Sequence, residues 1–570
     1  MKQTAWRIPR QRTRERGTAS GISPPQSQPP PRRHPYRKVL VALGIVALLA
    51  QLALVMVTAA RQQSQTADEG VYIAAAVVYL RHHELRYNPE HPPLAKLVMA
   101  AGLAFADARI DAGPDKNQYQ AGTDVLYEHG NGAQRILWYA RLPTIVLTLL
   151  FGLMVFAFAR DITGPGGGLL ALALYAFSPD VITYGSLAGV DLPAAGFVLA
   201  AAWLVWRMRR HPWAYLAPAG LALGAASATK MNTLVVVPVL LLLAAVSAWH
   251  AQPGVRRVPR LLTAVAAMIG VGVVAVATVW LTYLIVDPRL HWTAPPGVPV
   301  IHGTVGHLVD WLPFPPAYAD GLRIQLGLED QTWGGFLLGD TYSGHRWYYL
   351  PAALLIKTPL GMLALWLTGI VTMLTVRRLR PAALYVLLPT VVLLVAAMQG
   401  SRDWGVRYAI FVPVLLAVAA AAVTAVRWRW VQAVAVLLVA FVAVSSVRAF
   451  PYYLPYSNEA FGGPAKTYLR LGSSNVDWYQ DLYRLARRLQ ERYPGERVWL
   501  VHRNRAMAGY YGIDAGDPLK VPPSEVSGLL AISVTQLSNP KPEIRELIAR
   551  GVRIDQVGHS IFIYRVSPAR

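Results

Sequence analysis

Four acidic residues stand where apolar sequence gives way to polar: Asp68 and Glu69 in Thr66-Ala67-Asp68-Glu69-Gly70, Glu90 in Asn88-Pro89-Glu90-His91-Pro92-Pro93, and Asp191 in Gly189-Val190-Asp191-Leu192-Pro193. An adjacent acidic pair such as Asp68-Glu69 can align an acceptor hydroxyl, take its proton or bind a cation. The same pair also suits a plain helix start, where carboxylates complement the dipole. Pro92 and Pro93 fix the start of an apolar helix and hold Glu90 and His91 at its polar end. A carboxylate at Asp191, with apolar sequence on both sides, is costly unless paired or used; the plainer alternative is a helix N-cap ahead of Pro193.

Two cations, Lys230 in Ala228-Thr229-Lys230-Met231 and Arg407 in Gly405-Val406-Arg407-Tyr408, stand at ends of apolar runs. They can bind phosphate there or snorkel to the interface. Asp340 and His345, with Arg346, precede Trp347-Tyr348-Tyr349. All three are candidates for sugar or phosphate contact, and the aromatic run reads as an interfacial belt. The one cofactor suggested is a divalent cation, with Glu90 and Asp191 as its candidate ligands. No phosphate-cradling glycine loop, Ser/His/Asp set or zincin helix is present, which argues against ATP-driven transport. The absence of cysteine excludes disulfides and thiol catalysis.

The elements that must position these residues are membrane helices. Of 570 residues 54% are hydrophobic and 15% charged, against about 25% charged in soluble domains. The apolar residues arrive in runs of about 17 to 25, enough to cross a hydrocarbon layer. Eleven spans are expected, at 39–59, 137–159, 166–185, 192–206, 214–229, 232–249, 261–286, 350–375, 381–399, 409–426 and 431–449. Residues 1–38, rich in Arg and Pro, read as a disordered arm, and 39–449 as the membrane domain with long loops at 60–136 and 287–349. The net charge of +23 does not imply nucleic acid. Its short clusters, at Arg160, Arg207/Arg209/Arg210, Arg256/Arg257/Arg260, Arg377/Arg378/Arg380 and Arg427/Arg429, all fall on one side if the N-terminus is cytoplasmic. The long loops and the tail are then extracytoplasmic. Residues 450–570 alternate a helix (477–493), strands (497–502, 528–534), a helix (541–550) and a final strand pair (553–557, 560–566), which predicts a small α/β domain.

Together these pieces resemble the GT-C class of integral membrane glycosyltransferases, in particular the group of protein O-mannosyltransferases and lipid A aminoarabinose transferases. The carrying residues are Asp68-Glu69, Glu90-His91-Pro92-Pro93-Leu94-Ala95-Lys96, Ser178-Pro179 through Asp191-Leu192-Pro193, Lys230, Trp347 to Pro359, and Ser474-Asn475-Val476-Asp477-Trp478-Tyr479-Gln480-Asp481-Leu482. The resemblance implies an all-α membrane fold. It also implies a polyprenyl-phosphate sugar donor held by membrane lipid, and an extracytoplasmic acceptor hydroxyl on a cell-envelope glycan, lipid or protein. Asp68 is then expected to orient or deprotonate that hydroxyl with Glu69 beside it. Glu90 and Asp191 would shape the site or hold a cation, and Lys230 and Arg407 would meet the lipid phosphate. The second loop lacks a sugar-binding trefoil, which argues against a protein acceptor. A transporter or flippase is the competing class, but it would place charges near the bilayer midplane within inverted repeats.

Overall fold

The computed structural model describes residues 35–568 apart from 112, 114–115 and 504–505. Most of the arm expected over 1–38 lies outside the described residues. All eleven apolar segments are helical. Six are long and apolar enough to cross a membrane unbroken: Tyr36–Gln62, Ala133–Thr163, Met231–His250, Arg257–Val286, Arg380–Ala397 and Arg429–Arg448. Two more are bent pairs, Pro165–Ala176 with Pro179–Gly185 (65°) and Tyr349–Lys357 with Leu360–Thr375 (118°). The shorter helices Asp191–Arg207, Pro212–Ser227 and Phe411–Ala420 complete the set. The chain is a multi-pass membrane protein.

The segment 350–375 is thus not the single span expected. Pro359 has no N–H to continue the helix, and carbonyls freed inside the bundle need other donors. Asn458 supplies them, its Nδ2 donating to Leu355 O (2.7 Å) and Thr358 O (2.8 Å). Next to the break, buried Lys357 donates to Leu454 O (2.6 Å) and Asn475 O (3.1 Å) and lies 3.6 Å from Asp180. The bend is locked by residues that follow the last apolar helix.

Three short helices fill the first long loop: Glu69–His82, Leu94–Leu103 and Gln118–Tyr127. They share a core of Ile73, Val77, Met99, Val125 and Leu126 with the start of helix Ala133–Thr163. The second loop carries helices Gly303–Trp311 and Pro316–Glu329 and an antiparallel hairpin, Gly334–Leu337 with Asp340–Ser343. Of the expected aromatic belt, Trp347 and Tyr348 are exposed but Tyr349 is buried, its hydroxyl accepting from Asn475 Nδ2 (2.8 Å).

The tail forms a five-stranded sheet in the order Ala515–Gly516, Val498–Val501, Gly528–Ser533, Ile561–Val566, Gly551–Val557. The first three strands are mutually parallel and the last two antiparallel to their neighbours. Strand side chains alternate between faces. Val498 and Leu500 pack under helix Leu482–Arg492, while Trp499 and Val501 pack with Ile544 and Leu547 of helix Pro542–Arg550. Both faces are covered, so the strands read as continuous apolar runs. The first tail helix begins at Leu482 rather than 477, because the carbonyls of residues 478–480 are bonded to Ser64 and Ala67 at the start of the first loop, and Asp477 and Asp481 accept from Ser533 and Ser560 of the tail.

Candidate active site

The acidic pair divides. Asp68 occupies the N-cap position of helix Glu69–His82, yet its side chain makes no capping bond. Instead, its Oδ2 accepts from Arg407 Nη1 at 2.5 Å, and about a third of the side chain stays accessible. Glu69 turns the other way into a closed pocket. Arg141 Nε and Nη2 grip both its oxygens (2.7 and 2.6 Å), and Thr66 N, Thr66 Oγ1 and Ala188 N donate to them as well. Burial alone would raise the Glu69 pKa, but the Arg141 charge and these bonds outweigh it and hold the carboxyl below its ordinary value. Every lone-pair direction of Glu69 is committed, so the pairing with Asp68 in catalysis expected from adjacency does not hold. Glu69 braces the loop that presents Asp68.

Asp191 is the first residue of its helix, and Val190 holds the N-cap position, so the capping alternative fails. The carboxylate is buried and bridges two cations: Lys230 Nζ at 2.5 Å and Arg407 Nη1 at 3.8 Å. Lys230, on the turn between Pro212–Ser227 and Met231–Val236, is itself buried, so it does not snorkel. Asp68, Arg407, Asp191 and Lys230 therefore form an alternating row of two carboxylates and two cations. Aromatic rings flank it, Tyr408 beside both cations and Trp478 beside Arg407.

Glu90 and His91 reach the same place by a different device. Fully buried Lys96 donates to Asn88 O and His91 O, both at 2.7 Å, closing the Asn-Pro-Glu-His turn from beneath. Asn88 takes positive φ (57°) in that turn, a conformation Asn tolerates better than most residues. Burial pushes the Lys96 amine down to about 7. His91 is held neutral, first by burial and then by the charges of Lys230, Lys96, Arg402 and Arg407. Among the described residues its buried Nδ1 has no protein partner, and Glu90 accepts from Gln118 Nε2 (3.0 Å).

These groups face one cavity of about 490 Å³. Asp68, Glu90, His91, Asp191, Lys230 and Arg407 are among its polar lining, and Val235, Leu322, Leu326, Leu393, Ala396 and Ala397 among its apolar lining. Asp340 and His345 are not brought there. They lie exposed on and just after the second hairpin strand, because the hairpin turns these polar residues outward. The residues also do not fit a resident divalent cation at Glu90 and Asp191. Lys230 already stands on Asp191, and among the described residues neither acid joins a third close ligand; the one such cluster, Asp124, Glu128 and His129, lies elsewhere, with Asp124 bonded to Lys116. Sequence reasoning missed Arg402, Gln118, Tyr119 and Trp333 in the cavity wall. Trp478, beside Asp68 in an adjoining small pocket, was visible only as part of the 474–482 segment.

Residues 44–290 match the family model of dolichyl-phosphate-mannose-protein mannosyltransferase. The chain resembles the GT-C class of membrane glycosyltransferases. Within that class it resembles the group that holds the O-mannosyltransferases and ArnT. No curated protein sequence matches it significantly. Among solved structures, it is similar to ArnT from Cupriavidus metallidurans bound to undecaprenyl phosphate, at 14% identity and TM-score 0.48, over 93% of this chain and 100% of that one. It is also similar to the S. cerevisiae protein O-mannosyltransferase Pmt1-Pmt2 complex bound to the sugar donor (19%, TM-score 0.37, 44% of this chain and 34% of that). A third is the Archaeoglobus fulgidus oligosaccharyltransferase (12%, TM-score 0.42, 86% and 70%).

Proposed function

We propose that the protein transfers a sugar from a polyprenyl-phosphate donor to an acceptor hydroxyl on the extracytoplasmic side of the membrane, the acceptor being a cell-envelope glycan, lipid or protein. The observation that carries this reading is the mixed lining of the cavity. The acid Asp68 shares its lining with apolar side chains, some of them from the membrane helices Met231–His250 and Arg380–Ala397. A substrate made of a sugar, a phosphate and a long hydrocarbon matches that mixture, since the tail stays in lipid while the reacting carbon reaches the polar residues.

In the transfer, the acceptor oxygen bonds to the anomeric carbon as the bond from that carbon to the phosphate oxygen breaks. The acceptor proton passes to Asp68 and the electron pair leaves with the lipid phosphate. Arg407 aims Asp68, and Asp191 with Lys230 fixes Arg407. His91, neutral at physiological pH, offers ring nitrogens to sugar hydroxyls, as does the Glu90 carboxylate. Holding donor and acceptor in line lets proximity carry much of the acceleration, with general-base assistance worth about 100- to 10,000-fold more. The test is incubation of the purified protein in lipid with radiolabelled polyprenyl-phosphate sugars and membrane extract. A labelled product that requires Asp68 supports the reading, and no transfer from any donor overturns it.

A further inference from the structure

Helix Gly303–Trp311 of the second long loop divides into three sectors. At about 100° per residue, Gly306 and Val309 share one sector and are buried, while Asp310, Gly303 and His307 share a second and are exposed. Trp311, Thr304, Leu308 and Val305 span a third arc of about 120°. In it Val305, Leu308 and Trp311, with Val300 just ahead of the helix, are between 50% and 81% exposed. A stripe of large apolar side chains left outside the fold marks a contact surface. We propose that this arc is seated in the membrane leaflet at the Val286 end of helix Arg257–Val286, which makes part of the second loop an interfacial anchor, a contact that does not depend on the transfer chemistry.

The first ground is depth. Trp280 Nε1 donates to Pro313 O (2.8 Å), so the chain just after Trp311 is pinned to a level inside the span Arg257–Val286. The 30 residues of that span make a helix about 45 Å long against a hydrocarbon core of about 30 Å, and a centred span then projects about 7 Å at each end. Trp280 lies about 9 Å along the axis from Val286. Pro313, and with it the last turn of Gly303–Trp311, therefore comes to the hydrocarbon boundary. That is the level at which Trp is enriched and at which amphipathic helices sink an apolar face. The second ground is continuity. Leu281, Leu284 and Ile285, on the turns of the span that surround this level, are exposed apolar residues too. The arc extends a lipid-facing surface that the span already presents.

The third ground is charge. The four residues of the arc carry no ionisable group, and the helix's own His307 and Asp310 stand in the second sector, where water or lipid headgroups solvate them. Asp310 also has a use there. Arg323 holds Asp310 (2.6 Å) and Asp320 (2.5 Å), which ties Gly303–Trp311 to helix Pro316–Glu329, and Trp292 Nε1 donates to Asp320 (2.8 Å). Leu322, Gln325, Leu326 and Glu329 of that second helix line the cavity. Seating the first helix in lipid thus sets the depth of one part of the cavity wall relative to the bilayer.

The chain has no cysteine, so a single introduced thiol can carry one nitrobenzoxadiazole fluorophore on full-length protein in nanodiscs. Leu308→Cys and Val305→Cys report the apolar arc, and His307→Cys the polar sector. Lipids brominated in the upper part of the acyl chains serve as one quencher and aqueous iodide as the other. With the apolar face about 5–10 Å into the headgroup and acyl boundary, brominated lipid should quench the two arc probes at least about twofold more than the probe at 307, and iodide should show the reverse order. Two arc positions keep the test readable if one variant does not fold. Arc probes that iodide reaches as readily as position 307, without quenching by brominated lipid, put the helix in water and overturn the proposal. Arc probes shielded from both quenchers put it against protein, a second copy included, and overturn it too.

Discussion

The guanidinium carbon of Arg407 stands 4.4 Å from the centre of the Trp478 ring, and the Trp478 carbonyl accepts from Ala67 N (3.1 Å), the residue before Asp68. One residue of the tail thus touches Arg407 and the residue that precedes Asp68. A cation over an indole face is worth about 1–2 kcal/mol when desolvated. Trp478→Ala should therefore lower turnover roughly 5- to 30-fold, with donor affinity nearly unchanged. Trp478→Phe, which keeps a ring face, should recover most of the rate. Equal losses in both variants would leave the ring face without a role.

Asp68→Asn keeps a hydrogen-bond acceptor for Arg407 but cannot take a proton. Turnover should fall by about 100- to 10,000-fold while expression and thermal stability stay close to normal. Single-turnover rates on equal amounts of folded protein measure this, and near-normal rates would remove Asp68 as the base.

Glu69 behaves oppositely. Breaking a buried ion pair by removing one partner costs about 3–5 kcal/mol, so Glu69→Gln should show a large loss of thermal stability before any specific catalytic effect. The folded-state pKa lies below the unfolded one. The pair's contribution is therefore fully present above the ordinary glutamate range, near 4.3, and is lost as pH falls through the folded value. Melting curves of the unsubstituted protein and Glu69→Gln should converge in acid.

Lys96 has the same sign in a higher pH window. In the folded chain it releases its proton at about 7, in the unfolded chain near 10.4. Between these values the unfolded state binds more protons, so this residue makes stability rise with pH across that window. The melting temperature of the unsubstituted protein, compared with Lys96→Met at each pH from 7 to about 10, should show a slope that the variant lacks.

Topology is open to a direct check. From the alternation of basic clusters we expect the N-terminus inside and Arg570 outside, so a reporter fused at Arg570 should be active only outside the cytoplasm.

Asp68, Asp191, Lys230 and Arg407 were legible because a charge beside long apolar sequence has few inexpensive fates. What the sequence hid was how these charges share one another. Asp68 and Glu69 look like a unit, yet neighbours in a helix point about 100° apart, and here one meets the cavity and the other Arg141. Arg402, within Ser401-Arg402-Asp403, reads as an ordinary loop and becomes notable only when helix Arg380–Ala397 delivers it to the wall. The break at Thr358-Pro359 carries a readable proline, but the donor that makes it tolerable, Asn458, lies far along the chain. Asp340 and His345 show the converse, polar residues beside an aromatic run that end on a hairpin's outer face. In the tail, alternation and apolar runs were enough to place four of the five strands, since covered sheets leave little choice, but the two-residue edge strand Ala515–Gly516 carries no such pattern.

Ser64 N donates to Gln480 O, Ser64 Oγ to Tyr479 O, and Ala67 N to Trp478 O. The loop carrying Asp68 is thus made near the beginning of synthesis and receives its clasp near the end. While the ribosome is still adding the intervening helices, Asp68 already stands beyond the first span with neither Arg407 nor Trp478 to aim it. Under the proposed function, catalytic competence would arrive as a terminal event of biogenesis. A chain released early, before residue 477, would occupy the bilayer with most of its helices and still lack the clasp on the loop that carries Asp68.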